Sequence, residues 1–468
     1  MKYVSTRGKA PELNFDEVLL TGLARDGGLY VPAAWPKLTE DDLREMRGLS
    51  YEEIAARVMY PFVEGCIPED DFAHLVADAY AGFDHDATCP LKQLDSNTWV
   101  MELFHGPTLA FKDVALQLLG RLFDYVLKKQ GKRVTIAGAT SGDTGSAAIE
   151  ACRDREAIDI FILHPHNRTS EVQRRQMTSV LSMNVHNVAV EGTFDDCQDL
   201  VKAMFNDLSF RDEVNLSAVN SINWARIMAQ IVYYVYAGVS LGAPERGITV
   251  SVPTGNFGNI FAAYAAREMG LPIDQFIVGS NSNDILTRFL SDNDMSMKQV
   301  SPSLSPSMDI QVSSNFERLL FDLLDRDGEE VEETMQQFRA SGKMPMEEDR
   351  WRRAAKDFTG HCLDDNETLA AIGAIHESSG ELVDPHTAVG IIAGWTQRKD
   401  PASPLVCMAT AHPAKFPDAV EEATGIRPAL PNKLADLFDR EERFEVLPNS
   451  VDAIQTRIRK SNSAGSAE

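Results

Sequence analysis

The chain has 468 residues, 44% hydrophobic and 25% charged, which is the balance of an ordinary globular protein long enough for about three domains or two large ones. With 70 Asp and Glu against 45 Lys and Arg, the formal net charge of −25 repels nucleic acid and anionic membrane surfaces, yet leaves room for a small anion held by local donors. No run approaches the ~20 apolar residues of a membrane helix, the opening fifteen residues hold no apolar signal core, and the six scattered cysteines (Cys66, Cys89, Cys152, Cys197, Cys362, Cys407) form no CxxC metal pair. The expected setting is a reducing cytoplasm, with no metal, membrane or nucleic-acid partner.

In chain order, residues 1 to about 90 read as mainly helical, after an opening that contains Ser5-Thr6-Arg7-Gly8 and the turn Asp26-Gly27-Gly28. From about residue 95 short β-branched runs alternate with helix-length segments. Strand-like runs at 99–104, 134–137, 158–163, 185–190, 248–252, 275–278 and 405–408 interleave with helical periodicity at 144–153, 169–182, 195–208 and 259–269. Such alternation predicts parallel sheets covered by helices. Residues 296–315 read as a long loop, helices resume at 316–340, and the small polar tail from Ser461 is expected to be disordered.

Three of these junctions carry chemistry. Lys112 follows the first strand-like run, in the stretch Phe104-His105-Gly106-Pro107-Thr108-Leu109-Ala110-Phe111-Lys112-Asp113. Apolar company disfavours an ammonium, and a neutral amine is a nucleophile suited to a Schiff base with a carbonyl or with pyridoxal phosphate. The plain alternative is a lysine snorkelling from a helix start.

Two glycine-rich turns each join a strand to a helix, Gly138-Ala139-Thr140-Ser141-Gly142-Asp143-Thr144-Gly145 and Pro253-Thr254-Gly255-Asn256-Phe257-Gly258-Asn259. Glycines permit close approach, and a helix N-terminus presents N–H groups to an anion. A dinucleotide site would want an acidic residue at the end of the second strand, where this chain has His164-Pro165-His166. One turn suits a cofactor phosphate and the other a substrate anion.

Asn223 is placed to cap a helix in Asn220-Ser221-Ile222-Asn223-Trp224-Ala225-Arg226, with Arg226 one turn on and able to bond a phosphate, unless it is an ordinary surface arginine. Thr410 follows an apolar run at a strand end, where ligands bind in parallel sheets. A neutral hydroxyl there suits a pyridine nitrogen. His412 reads as a satisfied loop histidine more than as a proton carrier.

Together these stretches resemble the threonine synthase family, pyridoxal-phosphate enzymes of the tryptophan synthase β-like fold (fold type II). The matching segments run in the family's order: 105–113, 139–145, 190–198, 220–226, 253–259, 280–286, 384–390 and 409–416. The resemblance implies two parallel-sheet α/β lobes over 91–430, an N-terminal mainly helical domain over 1–90 and a C-terminal extension over 431–468. It implies Lys112 as the Schiff-base lysine, Gly255, Asn256, Phe257, Gly258 and Asn259 around the cofactor phosphate, and Thr410 at the ring nitrogen. Ser141, Gly142, Asp143 and Thr144 fall in the loop that receives the substrate carboxylate. Many fold type II enzymes have Asn where Asp143 stands, which leaves its side chain without a defined contact. Ser221, Asn223 and Arg226 are the candidates for the substrate phosphate. The implied reaction turns O-phospho-L-homoserine and water into L-threonine and phosphate, on a monomer or homodimer. The alternatives are another fold type II lyase, such as a threonine dehydratase, and a non-catalytic homologue that binds pyridoxal phosphate or phosphate.

Overall fold

The computed structural model describes residues 1–464 apart from Ser141 and Pro345. Ser141, one of the expected substrate-loop residues, therefore lies outside the described residues. The chain divides into two compact units. The larger comprises residues 1–18, 22–111 and 221–429, and the smaller comprises 112–220 and 430–468 with 19–21.

The larger unit begins with a small antiparallel sheet, Tyr3–Ser5 against Tyr30–Pro32. The helices Glu40–Glu45, Tyr51–Val63 and Glu69–Tyr80 follow. The first two of these start at reciprocal caps, Thr39 with Asp42 and Ser50 with Glu53, each satisfying N–H groups that the helix leaves open.

Its main sheet has six strands in the order Phe358–Cys362, Ile273–Ser280, Ile248–Pro253, Leu405–Ala409, Thr98–Glu102, Leu91–Gln93. Five are parallel, and the last is an antiparallel edge. The central strands Ile248–Pro253 and Leu405–Ala409 are buried throughout; the second reads as an unbroken apolar run, and in the first the buried hydroxyls of Thr249 and Ser251 are satisfied by Ser403 Oγ and the Gly390 carbonyl. Val389 and Ile391 of the helix Pro385–Gln397 share a core with Ile277, Leu405 and Cys407 of the sheet. Between the helices Ile285–Asp292 and Phe316–Leu323, residues 296–315 form a long connection whose one regular element is a single 3₁₀ turn at Pro306–Met308.

In the smaller unit five parallel strands run in the order Glu445–Pro448, Val185–Glu191, Ile158–Pro165, Val134–Ala139, Leu216–Ser217. Helices Lys112–Gln130, Asp143–Cys152, Glu171–Thr178 and Phe194–Asn206 connect or cover them. The parallel two-sheet architecture expected from the sequence is what the chain adopts.

Two expectations are corrected. The helical periodicity over 169–182 yields a helix only over Glu171–Thr178, because Ser170 caps its start and the N–H of Arg443 takes the carbonyl of Thr178 at 2.7 Å. The tail expected to be disordered from Ser461 instead continues the helix Val451–Ala464. Ile454 and Ile458 on that helix are fully buried against Phe161, Val188 and Leu200, and Ser461 Oγ lies 3.0 Å from His186 Nε2. Residues 465–468 lie outside the described residues.

Candidate active site

Strand Thr98–Glu102 leads into the segment that delivers Lys112. Residues 109–111 run antiparallel to 410–412. The N–H of Phe111 donates to the carbonyl of Thr410 at 2.9 Å, and the N–H of His412 donates to the carbonyl of Leu109 at 3.0 Å. Lys415 Nζ, itself buried, donates to the Thr108 carbonyl at 2.8 Å. The lysine motif and the Thr410 motif, some 300 residues apart in sequence, are therefore one backbone assembly. Thr410 sits one residue beyond the strand Leu405–Ala409 and is buried. His412 caps the turn after it, with Nδ1 accepting the N–H of Ala414 at 3.1 Å, and its ring meets Phe104 edge-on. A capping role is what this geometry gives it.

Lys112 opens the helix Lys112–Gln130. Its side chain is 11% exposed, and Nζ lies 3.5 Å from Asp143 Oδ2. Sequence predicts an apolar setting for this amine; the structure adds a carboxylate beside it.

The turn 253–259 is built for a group that packs onto backbone. Strand Ile248–Pro253 ends, and the N–H of Thr254 is held by the Gly279 carbonyl at 2.8 Å. A side chain at Gly255 would overlap the Ser307 carbonyl oxygen, so only glycine fits there. The Gly255 carbonyl accepts from Ser313 Oγ at 2.7 Å, and the Asn256 carbonyl accepts from both the N–H and the Nδ2 of Asn315 at 3.0 Å. These bonds hold the turn's carbonyls away from the helix start. Phe257 adopts a left-handed conformation with φ of 63° and anchors its ring between Phe316 and Phe358. Helix Gly258–Met269 begins next, and its first N–H groups have no partner within the helix. Asn259 Oδ1 accepts from the hydroxyls of Tyr233 and Tyr234, leaving its Nδ2 buried without a hydrogen-bond partner. An unsatisfied buried donor beside a helix N-terminus is what a phosphate would complete, so these residues fit the phosphate of pyridoxal phosphate.

A second candidate anion seat lies at the helix Trp224–Ser240. Asn223 caps it, its Oδ1 accepting the N–H of Ala225 at 3.0 Å. Arg226, one turn on, is buried rather than at the surface, and its Nη1 has no hydrogen-bond partner. Burial lowers its pKa to about 10, which still leaves it cationic at neutral pH. A buried cation with an unfilled donor calls for an anion. The Ser221 carbonyl accepts from Asn315 Nδ2 at 3.2 Å, so Asn315 bridges this loop and the 253–259 turn.

The turn 138–145 follows the strand Val134–Ala139. Thr140 Oγ1 accepts the N–H groups of Gly142 and Gly145, both at 2.9 Å. Gly142 has φ of 150° and leaves room for Gln173, whose side chain a Cβ at that position would strike. Asp143 starts the helix Asp143–Cys152 and is buried, with Oδ1 accepting from Gln173 Nε2 at 2.9 Å. Thr144 follows in the first turn, half-buried.

Several functional supports are not apparent from sequence. Arg318 is fully buried, donates to Asn315 Oδ1, and reaches the carbonyls of Ile222 at 2.6 Å and Tyr30 at 3.0 Å. Burial pulls its pKa down to about 9. Asp384 caps the helix Pro385–Gln397 and lies 2.6 Å from His386 Nδ1, while His386 Nε2 accepts the N–H of Ser307 at 3.3 Å. Those two bonds set the tautomer, with the proton on Nδ1. They also seat the Ser307 carbonyl against Gly255. The Asp384-Pro385-His386 run is a cap signal in the sequence, but nothing local says what the histidine faces.

Comparison with known proteins agrees with this geometry. Residues 2–80 match the family "Threonine synthase N terminus", 87–337 match "Pyridoxal-phosphate dependent enzyme", and 387–458 match "Threonine synthase, C-terminal". Threonine synthase of Pseudomonas aeruginosa is 58% identical over 466 residues, covering 99% of both chains, and that of Saccharomyces cerevisiae is 42% identical, covering 98% of this chain and 94% of the other. The crystal structure of PLP-bound threonine synthase from Brucella melitensis superposes with a TM-score of 0.97 at 53% identity, covering 98% of this chain and 99% of the other. The yeast threonine synthase structure superposes at 0.94 with 39% identity, covering 99% of each. On these full-length matches the chain belongs to the threonine synthase family, lyases of fold type II whose cofactor is pyridoxal phosphate.

Proposed function

We propose that the chain converts O-phospho-L-homoserine and water into L-threonine and phosphate, with pyridoxal phosphate attached at Lys112 and the substrate phosphate on Arg226. The observation that carries the substrate assignment is the buried Arg226 guanidinium with an unfilled Nη1. Asn223, its Oδ1 engaged in the cap, contributes through Nδ2, and Ser221 through its hydroxyl. The N–H groups of 255–259 and Asn259 Nδ2 hold the cofactor phosphate, and the Thr410 hydroxyl meets the ring nitrogen. The substrate carboxylate docks on the first-turn N–H groups of Asp143 and Thr144 and the Thr144 hydroxyl, next to Gly142, with Ser141 assigned to the same loop.

When bound, pyridoxal phosphate delocalises the electrons left on a substrate carbon that has lost a proton. Lys112, released from the cofactor by the incoming substrate amine, takes a proton from the α-carbon, gives it up to the conjugated system that joins substrate and cofactor, and, neutral again, takes one from the β-carbon. Phosphate leaves the γ-carbon with Arg226 balancing its charge. Water adds at the β-carbon, and Lys112 returns protons to carbon. Among the described residues no helix is long and apolar enough to cross a membrane, and no disulfide joins any of the six cysteines. Cysteines kept as thiols suit a reducing cytoplasm, where the enzyme works on a small molecule as monomer or homodimer, with no nucleic-acid partner.

The test is to measure phosphate and threonine formed from O-phospho-L-homoserine by the wild type and by Lys112→Ala. Equal amounts of both products from the wild type, and none from the variant, are expected. Cofactor bound with neither product formed would move the function to another substrate or to non-catalytic binding.

A further inference from the structure

Asp143 is buried at the start of the helix Asp143–Cys152, and its two carboxylate oxygens face different groups. Oδ2 lies 3.5 Å from Lys112 Nζ, with the two side chains 10% and 11% exposed. Oδ1 accepts from Gln173 Nε2 at 2.9 Å. The orientation of the Gln173 amide is set by its other end, since Oε1 accepts from Ser170 Oγ at 3.0 Å and the nitrogen is left to donate to Asp143.

The helix that carries Gln173, Glu171–Thr178, is itself clamped. Glu442 accepts from Arg174, from Thr178 Oγ1 at 2.6 Å, and lies 3.5 Å from Arg175. The N–H of Arg443 closes the helix end on the Thr178 carbonyl. A continuous set of contacts thus runs from the C-terminal extension through Gln173 and Asp143 to the lysine amine.

We propose that Asp143 is a catalytic residue whose ionised carboxylate holds Lys112 in its proton-bearing form between proton transfers, and that Gln173 is the positioning residue that turns this carboxylate onto the amine. The proposal rests on Lys112 being the base, as assigned above. When a substrate carbon gives its proton to the neutral Lys112 amine, an ammonium forms next to a fixed negative charge in a partly dry site, where the attraction is stronger than in water. The ammonium later gives that proton up again. Asp143 stays ionised throughout and ends each cycle as it began. An amide at this position would offer a dipole but no charge, which distinguishes the role from docking a substrate carboxylate.

The experiment uses the holoenzyme and three variants, Asp143→Asn, Gln173→Leu and the double variant. At a fixed pH, the visible absorption of the bound cofactor reports how much of the lysine-linked nitrogen carries a proton. The ratio of protonated to unprotonated bands is expected to fall about tenfold in Asp143→Asn, the effect of losing one opposite charge at this distance. It is expected to fall about fivefold in Gln173→Leu, the weight of one hydrogen bond. In both, kcat falls while KM changes less than about twofold, since the interaction forms only as the proton arrives. The double variant is expected to be no slower than Asp143→Asn, because Gln173 acts only through Asp143. Unchanged band ratios in both single variants, or losses in kcat that simply multiply, would overturn the proposal. A wild type that makes no threonine would overturn the functional reading instead, and would leave the band-ratio test of Asp143 intact.

Discussion

The N–H of Phe111 donates to the carbonyl of Thr410 at 2.9 Å, one residue before Lys112 and one residue after the strand Leu405–Ala409. That bond makes the position of Phe111, the residue before Lys112, a property of the main sheet rather than of a loose connection. A lysine that exchanges partners during a reaction, the role proposed for Lys112, needs a neighbouring backbone that stays in place.

Arg226→Met removes the cation and keeps most of the side chain's volume. Deleting a charge-assisted bond to phosphate in a buried site weakens binding roughly 10- to 100-fold. The expected outcome is a KM for the phosphorylated substrate raised by that factor, with binding of unphosphorylated L-homoserine unchanged. Steady-state kinetics and inhibition by L-homoserine measure both, and an unaltered KM would remove Arg226 from the phosphate seat.

Gly255→Ala places a methyl group against the carbonyl of Ser307, whose N–H donates to His386 Nε2. Overpacking of this kind costs about 1–3 kcal/mol. Here the strain falls on the phosphate turn, so cofactor affinity is expected to drop about tenfold or more while thermal stability of the loaded enzyme changes little. Equilibrium dialysis of pyridoxal phosphate decides it; wild-type affinity would show that the turn does not cradle the phosphate.

His164, at the end of the strand Ile158–Pro165, is buried, and burial lowers its pKa to about 4. The folded chain therefore keeps this ring neutral, while the unfolded chain protonates it near pH 6.5. Stability from this group is complete above about pH 6.5 and is lost progressively as pH falls toward about 4, where the folded state protonates too. His164→Leu is expected to flatten the fall in melting temperature between about pH 6.5 and about pH 4.5. A parallel fall in wild type and variant would contradict the sign or the burial.

Arg7 and Glu317 form a two-pronged pair, Nε to Oε1 at 3.0 Å and Nη2 to Oε2 at 2.9 Å, with Thr6 Oγ1 adding a third bond to Oε1 at 2.7 Å. Both side chains are 5% exposed. Neutralising one partner strands the other, so Glu317→Gln is expected to lower unfolding stability by about 3 kcal/mol. Replacing both by apolar residues should cost less than replacing either alone. Denaturant unfolding of the three variants checks the order.

What was legible in the sequence was local. Lys112, the two glycine turns and the Asn223 cap announce themselves because a strand end, a glycine and a helix start follow one another along the chain. Thr410 is legible as the residue after an apolar run. Arg226 was legible as a candidate, but whether it lay at the surface was not, because burial depends on how distant segments pack over it. Asn315, Arg318 and His386 escaped for a related reason. Each serves the site through backbone carbonyls or N–H groups of residues 59 or more positions away, or through a neighbour that does so, and such partners leave no periodic trace. Strands Phe358–Cys362, Leu216–Ser217 and Glu445–Pro448 were missed as edge strands. They are short and polar or half-exposed, so β-propensity and alternation give little signal.

The smaller unit's sheet closes with Glu445–Pro448 pairing Val185–Glu191, and its core is finished by Ile454 and Ile458. On the ribosome these residues emerge well after the strand and core they cover. Until they do, the strand Val185–Glu191 offers an open edge and Phe161, Val188 and Leu200 lack their cover, so this unit cannot mature before these residues are made. A chain stalled or clipped before residue 445 would present a sticky strand edge, and truncated products of this protein should accumulate as aggregates rather than as a soluble fragment.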